Sequence, residues 1–289
     1  MLWRIAALAA GFAGFACSGP AVLADVPYDT RFGDAATMDI YIPDGPAPAA
    51  GRPAVMLIHG GAWRFGSKDD YDAAAERLAR AGFVAATINY RLVPAGIYPA
   101  AVQDCLCALS FLRANAATYD IDPERIAVSG YSAGGHLSSL IGVAAELSIH
   151  APDCEWGPTG PPAAVIPGAT SHTMLDSQND LIIDFMGGSE EDLPELYATA
   201  SPIEQVHPGA PPYLVIHGQD DVVEVEGAIA MVDALRAAGN QVFFLELRGA
   251  GHVLSPSTDS SQIAVEAATD MPEAWAATID FLDRTLGEP

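Results

Sequence analysis

Gly130-Tyr131-Ser132-Ala133-Gly134 decides the fold. The stretch fills Gly-x-Ser-x-Gly directly after the apolar run Ile126-Ala127-Val128 and directly before the helix-like His136-Leu137-Ser138-Ser139-Leu140. A strand, a sharp turn and a helix in that order put a serine hydroxyl at the tip of the turn. Bare glycines on either side let strand and helix crowd the strained residue without Cβ clashes, and the helix start offers backbone N–H groups to an anion. That is the geometry of an acyl-transfer nucleophile. Any α/β protein contains Gly/Ser turns of similar composition, and it is the strand before and the helix after that favour a nucleophile here.

Outward from this turn, strands alternate with helices. Residues 37–43 read as a strand, and Ala54-Val55-Met56-Leu57-Ile58 is a continuous apolar run of the kind a doubly covered strand shows. Residues 71–81 are helical with a Gly82 stop, 83–89 form the next strand, and 99–117 carry the 3.6-residue period of a long helix. Residues 126–129, 163–166 and 213–216 are three further buried strands, and helices over 225–238 and 272–286 bracket a last strand at 242–247. Such alternation predicts a mostly parallel sheet with functional residues on loops at the strands' carboxyl ends. Only residues 170–208 interrupt it. Met174, Leu175, Leu181, Ile182, Ile183, Phe185 and Met186 lie there between polar residues, and the stretch reads as a small helical cap over a pocket.

A serine hydroxyl is a poor nucleophile until a base takes its proton, and the base works best when a carboxylate fixes its tautomer. Both partners are expected downstream at strand ends. His252, in Arg248-Gly249-Ala250-Gly251-His252, follows the last predicted strand, whereas His59, His136, His172, His207 and His217 lack its combination of late placement and strand-end position. Asp221, in His217-Gly218-Gln219-Asp220-Asp221, follows another strand and is favoured over its neighbour Asp220 by its spacing from the histidine. Ser132, Asp221, His252 is the chain order of one known triad arrangement. An oxyanion also needs donors: Gly61 and Ala62 of His59-Gly60-Gly61-Ala62-Trp63 supply two N–H groups and Ala133 a third. Trp63 and Tyr131 are candidate substrate-binding residues.

The composition bounds the rest. A chain of 289 residues suits one α/β domain that buries about 75% of its extended-chain surface. Residues 1–24 read as a signal peptide, with Arg4 as its charge, an apolar stretch from Ile5 to Ala16 and Val22-Leu23-Ala24 before the cut, so that 25–289 is the mature domain, exported to the periplasm or medium. That apolar stretch is too short to span a membrane. A lipoprotein anchor on Cys17 is disfavoured because Gly14-Phe15-Ala16 lacks the leucine-like residue such anchors carry. The net charge of −24 makes nucleic acid and anionic membranes poor partners, and Lys68 is the single lysine. Cys105, Cys107 and Cys154 remain in the mature chain, an odd number. Cys105 and Cys107 point away from each other on a helix, at most one could bridge to Cys154, and buried thiols are the expected state. No His/Cys cluster has zinc spacing.

Four motifs then carry a resemblance across nearly the whole mature chain. They are His59-Gly60-Gly61-Ala62-Trp63; Asn89-Tyr90-Arg91-Leu92 with Tyr98-Pro99 and Asp104; Gly130 to Leu137; and His217-Gly218 with Asp221. Ala200-Ser201-Pro202-Ile203 fits the same pattern. With these the chain resembles the α/β-hydrolase-fold esterases, in the branch of hormone-sensitive-lipase-like carboxylesterases, feruloyl or acetylxylan esterase-like proteins and kynurenine formamidases. The resemblance implies a mostly parallel sheet of about eight strands, no metal or organic cofactor, a small-molecule ester as substrate, and Ser132, His252 and Asp221 as nucleophile, base and orienting acid. The Gly-Ala-Trp ending of the oxyanion turn favours the feruloyl-esterase-like or formamidase-like side. Glu224 departs from the apolar residue usual after the acid. Asn89, Tyr90 and Arg91 are expected in structural hydrogen bonds. The same machinery serves amide hydrolysis, as in an arylformamidase, and an inactive binding module on this fold is a third reading.

Overall fold

The computed structural model describes residues 19–252 and 271–287. Its strands are β1 (Ala21–Pro27), β2 (Thr37–Ile42), β3 (Arg52–Ile58), β4 (Val84–Ile88), β5 (Ile121–Tyr131), β6 (Ala164–Gly168), β7 (Tyr213–Gly218) and β8 (Val242–Leu247). The helices are α1 (Asp72–Arg80), α2 (Ala100–Ala114), α3 (Ala133–Ala144), α4 (Asp180–Met186), α5 (Pro194–Thr199), α6 (Val225–Ala237) and α7 (Pro272–Leu286). All eight strands join one sheet in the order β1-β2-β4-β3-β5-β6-β7-β8, antiparallel at β1/β2 and β2/β4 and parallel elsewhere.

The apolar runs become strands because both faces of the sheet are covered. Along β3, Ala54, Met56 and Ile58 enter the core shared with α2, α3 and α6, while Val55 and Leu57 enter the core shared with α1 and α7. The chain passes from β3 to β4 on one side and then returns to place β5 on the other side of β3. At that reversal the loops after β3 and β5 leave a crevice at the strands' carboxyl ends, where ligands sit in sheets of this kind.

Residues 170–208 carry the two short helices α4 and α5. Asn179 starts α4 by accepting the Leu181 N–H at 2.9 Å, and Gly187, with φ of 78°, ends it. Pro194 opens α5. The segment is joined to the body where the Tyr98 N–H donates to the Phe185 carbonyl at 2.8 Å, and it is tied to itself where the Met174 N–H donates to Ser201 Oγ at 2.8 Å.

Two features depart from expectation. β1 precedes the first predicted strand, and its first five residues are exposed, so no burial pattern announces it. Ala21 to Ala24, the end of the segment read as a signal, form its first half; residues 1–18 lie outside the described residues. The cysteines are the second. Cys107 and Cys154 form a disulfide, with Cα atoms 6.2 Å apart, and Cys105 is a buried free thiol among the described residues. The bridge extends a stripe on α2: Ser110 Oγ–H donates to the Gly157 carbonyl at 2.9 Å, and Arg113 reaches the Gly160 and Pro161 carbonyls at 2.8 and 2.7 Å. Positions three apart share a helix face, so 107, 110 and 113 together bind residues 154–161.

Asn89, Tyr90 and Arg91 are structural, as the sequence suggests. Asn89 accepts the Lys68 N–H at 2.8 Å, and the Tyr90 hydroxyl donates to the His59 carbonyl at 3.0 Å. Arg91 gives its backbone N–H, Nε and Nη2 to the buried Asp104 carboxylate at 2.7 to 3.0 Å. Removing one partner of a buried pair leaves the other charge uncompensated. Asp104→Ala is therefore expected to lower the unfolding free energy by about 3 kcal/mol, measured by urea denaturation.

Candidate active site

Ser132 occupies the tip between β5 and α3 with φ of 53° and ψ of −120°, a conformation that costs a non-glycine residue on the order of 1–3 kcal/mol. Its N–H is held by the Gly168 carbonyl at 2.9 Å, and its own carbonyl accepts the His136 N–H at 2.9 Å. The glycines permit this. A Cβ on Gly130 would overlap the Gly134 carbonyl, and one on Gly134 would overlap the Ile58 carbonyl at the end of β3.

The structure brings the three separated residues together. Ser132 Oγ lies 3.1 Å from His252 Nε2, and His252 Nδ1 lies 2.7 Å from Asp221 Oδ1. The carboxylate acceptor places the imidazole proton on Nδ1 and leaves Nε2 free to accept from the serine. Asp221 is fully buried in its side chain, whereas Asp220 is exposed and donates its backbone N–H to the Ala250 carbonyl at 3.0 Å. Glu224 is exposed beside α6 and leaves this geometry intact.

A cleft of about 360 Å³ opens over the serine. Ser132, His252, Ala62 and Ala133 line it with Trp63, and Leu181 and Ile182 of α4 form part of its wall. Gly61 sits one residue behind. Gly61, Ala62 and Trp63 run through successive positive φ values of 103°, 52° and 56°, which coils the turn into a tight loop. Ala133 opens α3, where the first N–H groups have no partner within the helix. Trp63 does two things at once: it lines the cleft and stacks on Phe185 of α4 with centroids 4.4 Å apart. Arg64 adds an ion pair to Asp184, so the turn and α4 are joined by adjacent residues on each.

Tyr131 does not line this cleft. It is buried behind the serine with its ring 5.2 Å from that of His252, because successive residues at the end of a strand face opposite sides. Sequence reasoning also misses several wall residues. Ala169, Thr170 and Ser171 follow β6 and could have been found by their strand-end position. Val222 and Val223 follow Asp221 directly, and Val222 is 79% exposed at the cleft. Among the described residues, Asp39, Asp69 and Asp72 form the one group with metal-ligand proximity, and the Lys68 ammonium lies 2.8 Å from Asp39 and 3.2 Å from Asp69.

Beneath the cleft lie buried histidines. His136 Nε2–H donates to the Ala200 carbonyl at 2.8 Å, and His172 Nδ1 lies 3.1 Å from Ser139 Oγ. Burial disfavours their cations and lowers them to about 4 and about 3 respectively.

A family model described as BD-FAE matches residues 38–235. Esterase LipC of Mycobacterium tuberculosis is 36% identical over 217 residues, 71% of this chain and 54% of LipC. Esterase LipQ of the same organism is 32% identical over 256 residues, 85% of this chain and 61% of LipQ. The chain thus spans little more than half the length of these curated relatives. A solved bifunctional GH43-CE protein of Bacteroides eggerthii superimposes with a TM-score of 0.80 at 26% identity, over 92% of this chain and 35% of that one. The chain belongs to the BD-FAE family and has the α/β-hydrolase fold.

The buried histidines carry a pH dependence. Their folded values lie below the unfolded value of about 6.5, so the unfolded chain takes up protons that the folded one refuses. Their contribution to stability is whole above pH 6.5 and falls as the pH drops toward 4, by up to about 1.4 kcal/mol per unit for each. Denaturant unfolding at a series of pH values should show this slope, and His172→Gln should make it shallower.

Proposed function

We propose that this chain is an exported carboxylic ester hydrolase acting on short-chain or aryl esters through an acyl-Ser132 intermediate. The observation that carries the reading is the unbroken relay Ser132, His252, Asp221 at 3.1 and 2.7 Å, open to a cleft at its serine end. In this reading Ser132 Oγ attacks the ester carbonyl carbon while His252 Nε2 takes the hydroxyl proton. Asp221 keeps Nδ1 protonated and offsets the charge that develops on the ring. The N–H groups of Gly61, Ala62 and Ala133 receive the oxyanion, and each such donor is worth about 3 kcal/mol of barrier. His252 then protonates the leaving alcohol. A water, deprotonated by the same imidazole, releases the acid and restores the serine.

Relatives named as esterases support the reaction class. A cleft of about 360 Å³ lies near the small end of the roughly 300–1,000 Å³ usual for ligand sites, which favours a modest acyl or aryl group. Export is supported by the apolar stretch from Ile5 to Ala16 and by the Cys107–Cys154 disulfide, which suits an oxidising compartment.

Ser132→Ala is expected to lower turnover of p-nitrophenyl acetate by about a million-fold, and to abolish labelling by a fluorophosphonate probe. An alanine variant with full activity would remove the serine from the mechanism. Across a panel varying acyl length and alcohol, short-chain or aryl esters should lead. N-formylkynurenine preferred over every ester would make the chain an arylformamidase instead.

A further inference from the structure

His217 is the penultimate residue of β7, is almost wholly buried, and has no part in the relay described above. Its Nε2 lies 2.8 Å from the Val223 carbonyl, which accepts the proton and so fixes the ring as the Nε2–H tautomer. The same nitrogen lies 3.6 Å from Asp221 Oδ2. Val223 is held from its other side as well, since its N–H donates to Asp221 Oδ1 at 2.8 Å. Residues 217–223 therefore form a closed ring in which the imidazole grips the carbonyl of Val223 and the amide of Val223 grips the carboxylate of Asp221.

The state of that carboxylate gives this ring its importance. Oδ1 takes two donors, from Val223 and His252, while Oδ2 is buried without a hydrogen-bond partner among the described residues. A buried carboxylate oxygen without a donor is costly, and a carboxylate held through one oxygen can rotate about its Cβ–Cγ bond. The His217 N–H edge faces Oδ2, and the Val223 grip resists the rotation. Gly218, the next residue, presses against the loop bearing His252 so closely that a Cβ there would overlap the Ala250 carbonyl. The rotation of Asp221 is thus limited by His217 and the position of His252 by Gly218.

We propose that His217 is a positioning residue: through Val223 it sets the orientation of Asp221, and through Asp221 the orientation and proton affinity of His252. This rests on the triad reading given above. Among the described residues, the titratable groups around the relay are Asp221 on the turn after β7, Tyr131 beside the His252 ring, and His172, which interacts electrostatically with His217.

Two amide variants of different reach test it. In His217→Gln the side-chain N–H₂ comes close to the place of Nε2 and can still meet the Val223 carbonyl, whereas the shorter amide of His217→Asn stops near the place of Nδ1. The asparagine variant is expected to lose about 100-fold in kcat on p-nitrophenyl acetate with KM little changed. Its acid limb in kcat/KM should move to lower pH, because an imidazole less firmly paired with its carboxylate binds a proton less tightly. Glutamine should restore most of both losses. Equal losses in the two folded variants, or an asparagine variant with the wild-type pH profile, would overturn the proposal.

A readout that needs no turnover separates this from a failure of the enzymatic reading. The far-downfield proton of the His252–Asp221 hydrogen bond should persist in wild type and glutamine and be lost in asparagine. ¹⁵N-histidine spectra of the wild-type chain should show His217 protonated at Nε2. Protonation at Nδ1 instead would refute the arrangement even if neither variant folds.

Discussion

The site depends on how closely α3 crosses the end of β3. Gly134 sits against the Ile58 carbonyl with no room for a side chain, and Gly130 sits against the Gly134 carbonyl in turn. That crowding holds Ser132 at a φ of 53°, which raises its hydroxyl clear of the sheet. Everything else is arranged about that point. β6 fixes the turn from one side through Gly168, β7 delivers Asp221, and the loop after β8 delivers His252. A single reversal in strand order puts all of these carboxyl ends around one crevice.

Much of this is legible in the sequence because burial on both faces of a sheet leaves an unmistakable trace. Ala54 to Ile58 has no alternation to hide in, and each parallel strand after it is bounded by Gly, Pro or Asp. Once the strands are placed, their carboxyl ends are placed too, and Asp221 and His252 can be picked out without any knowledge of three-dimensional contacts. The choice between Asp220 and Asp221 follows the same logic. Adjacent residues leave a strand end in different directions, and here one side chain is buried against the imidazole while the other is exposed.

What the sequence does not reveal depends on encounters between segments that share no local pattern. β1 is an exposed antiparallel edge, so it lacks the apolar signature of the parallel core. The Cys107–Cys154 bridge forms because one stripe of α2 binds a loop 47 residues away, a pairing that spacing does not encode. Tyr131 adjoins the serine in sequence, yet the strand's alternation turns it behind the histidine. Trp63 cannot be divided between lining and packing because it does both, with one part of its ring on the cleft and a face on Phe185.

Lys68 is a structural cation. Its ammonium is held by Asp25, Asp39 and Asp69 at 3.0, 2.8 and 3.2 Å, and its side chain is 10% exposed. Since no other lysine exists in the chain, amine-directed reagents of the kind used for tagging, cross-linking or attachment to a support have no free lysine handle on this surface. Coupling through the abundant carboxylates is the open route, and acylating Lys68 would instead turn three carboxylates against one another at the junction of β1 and β2.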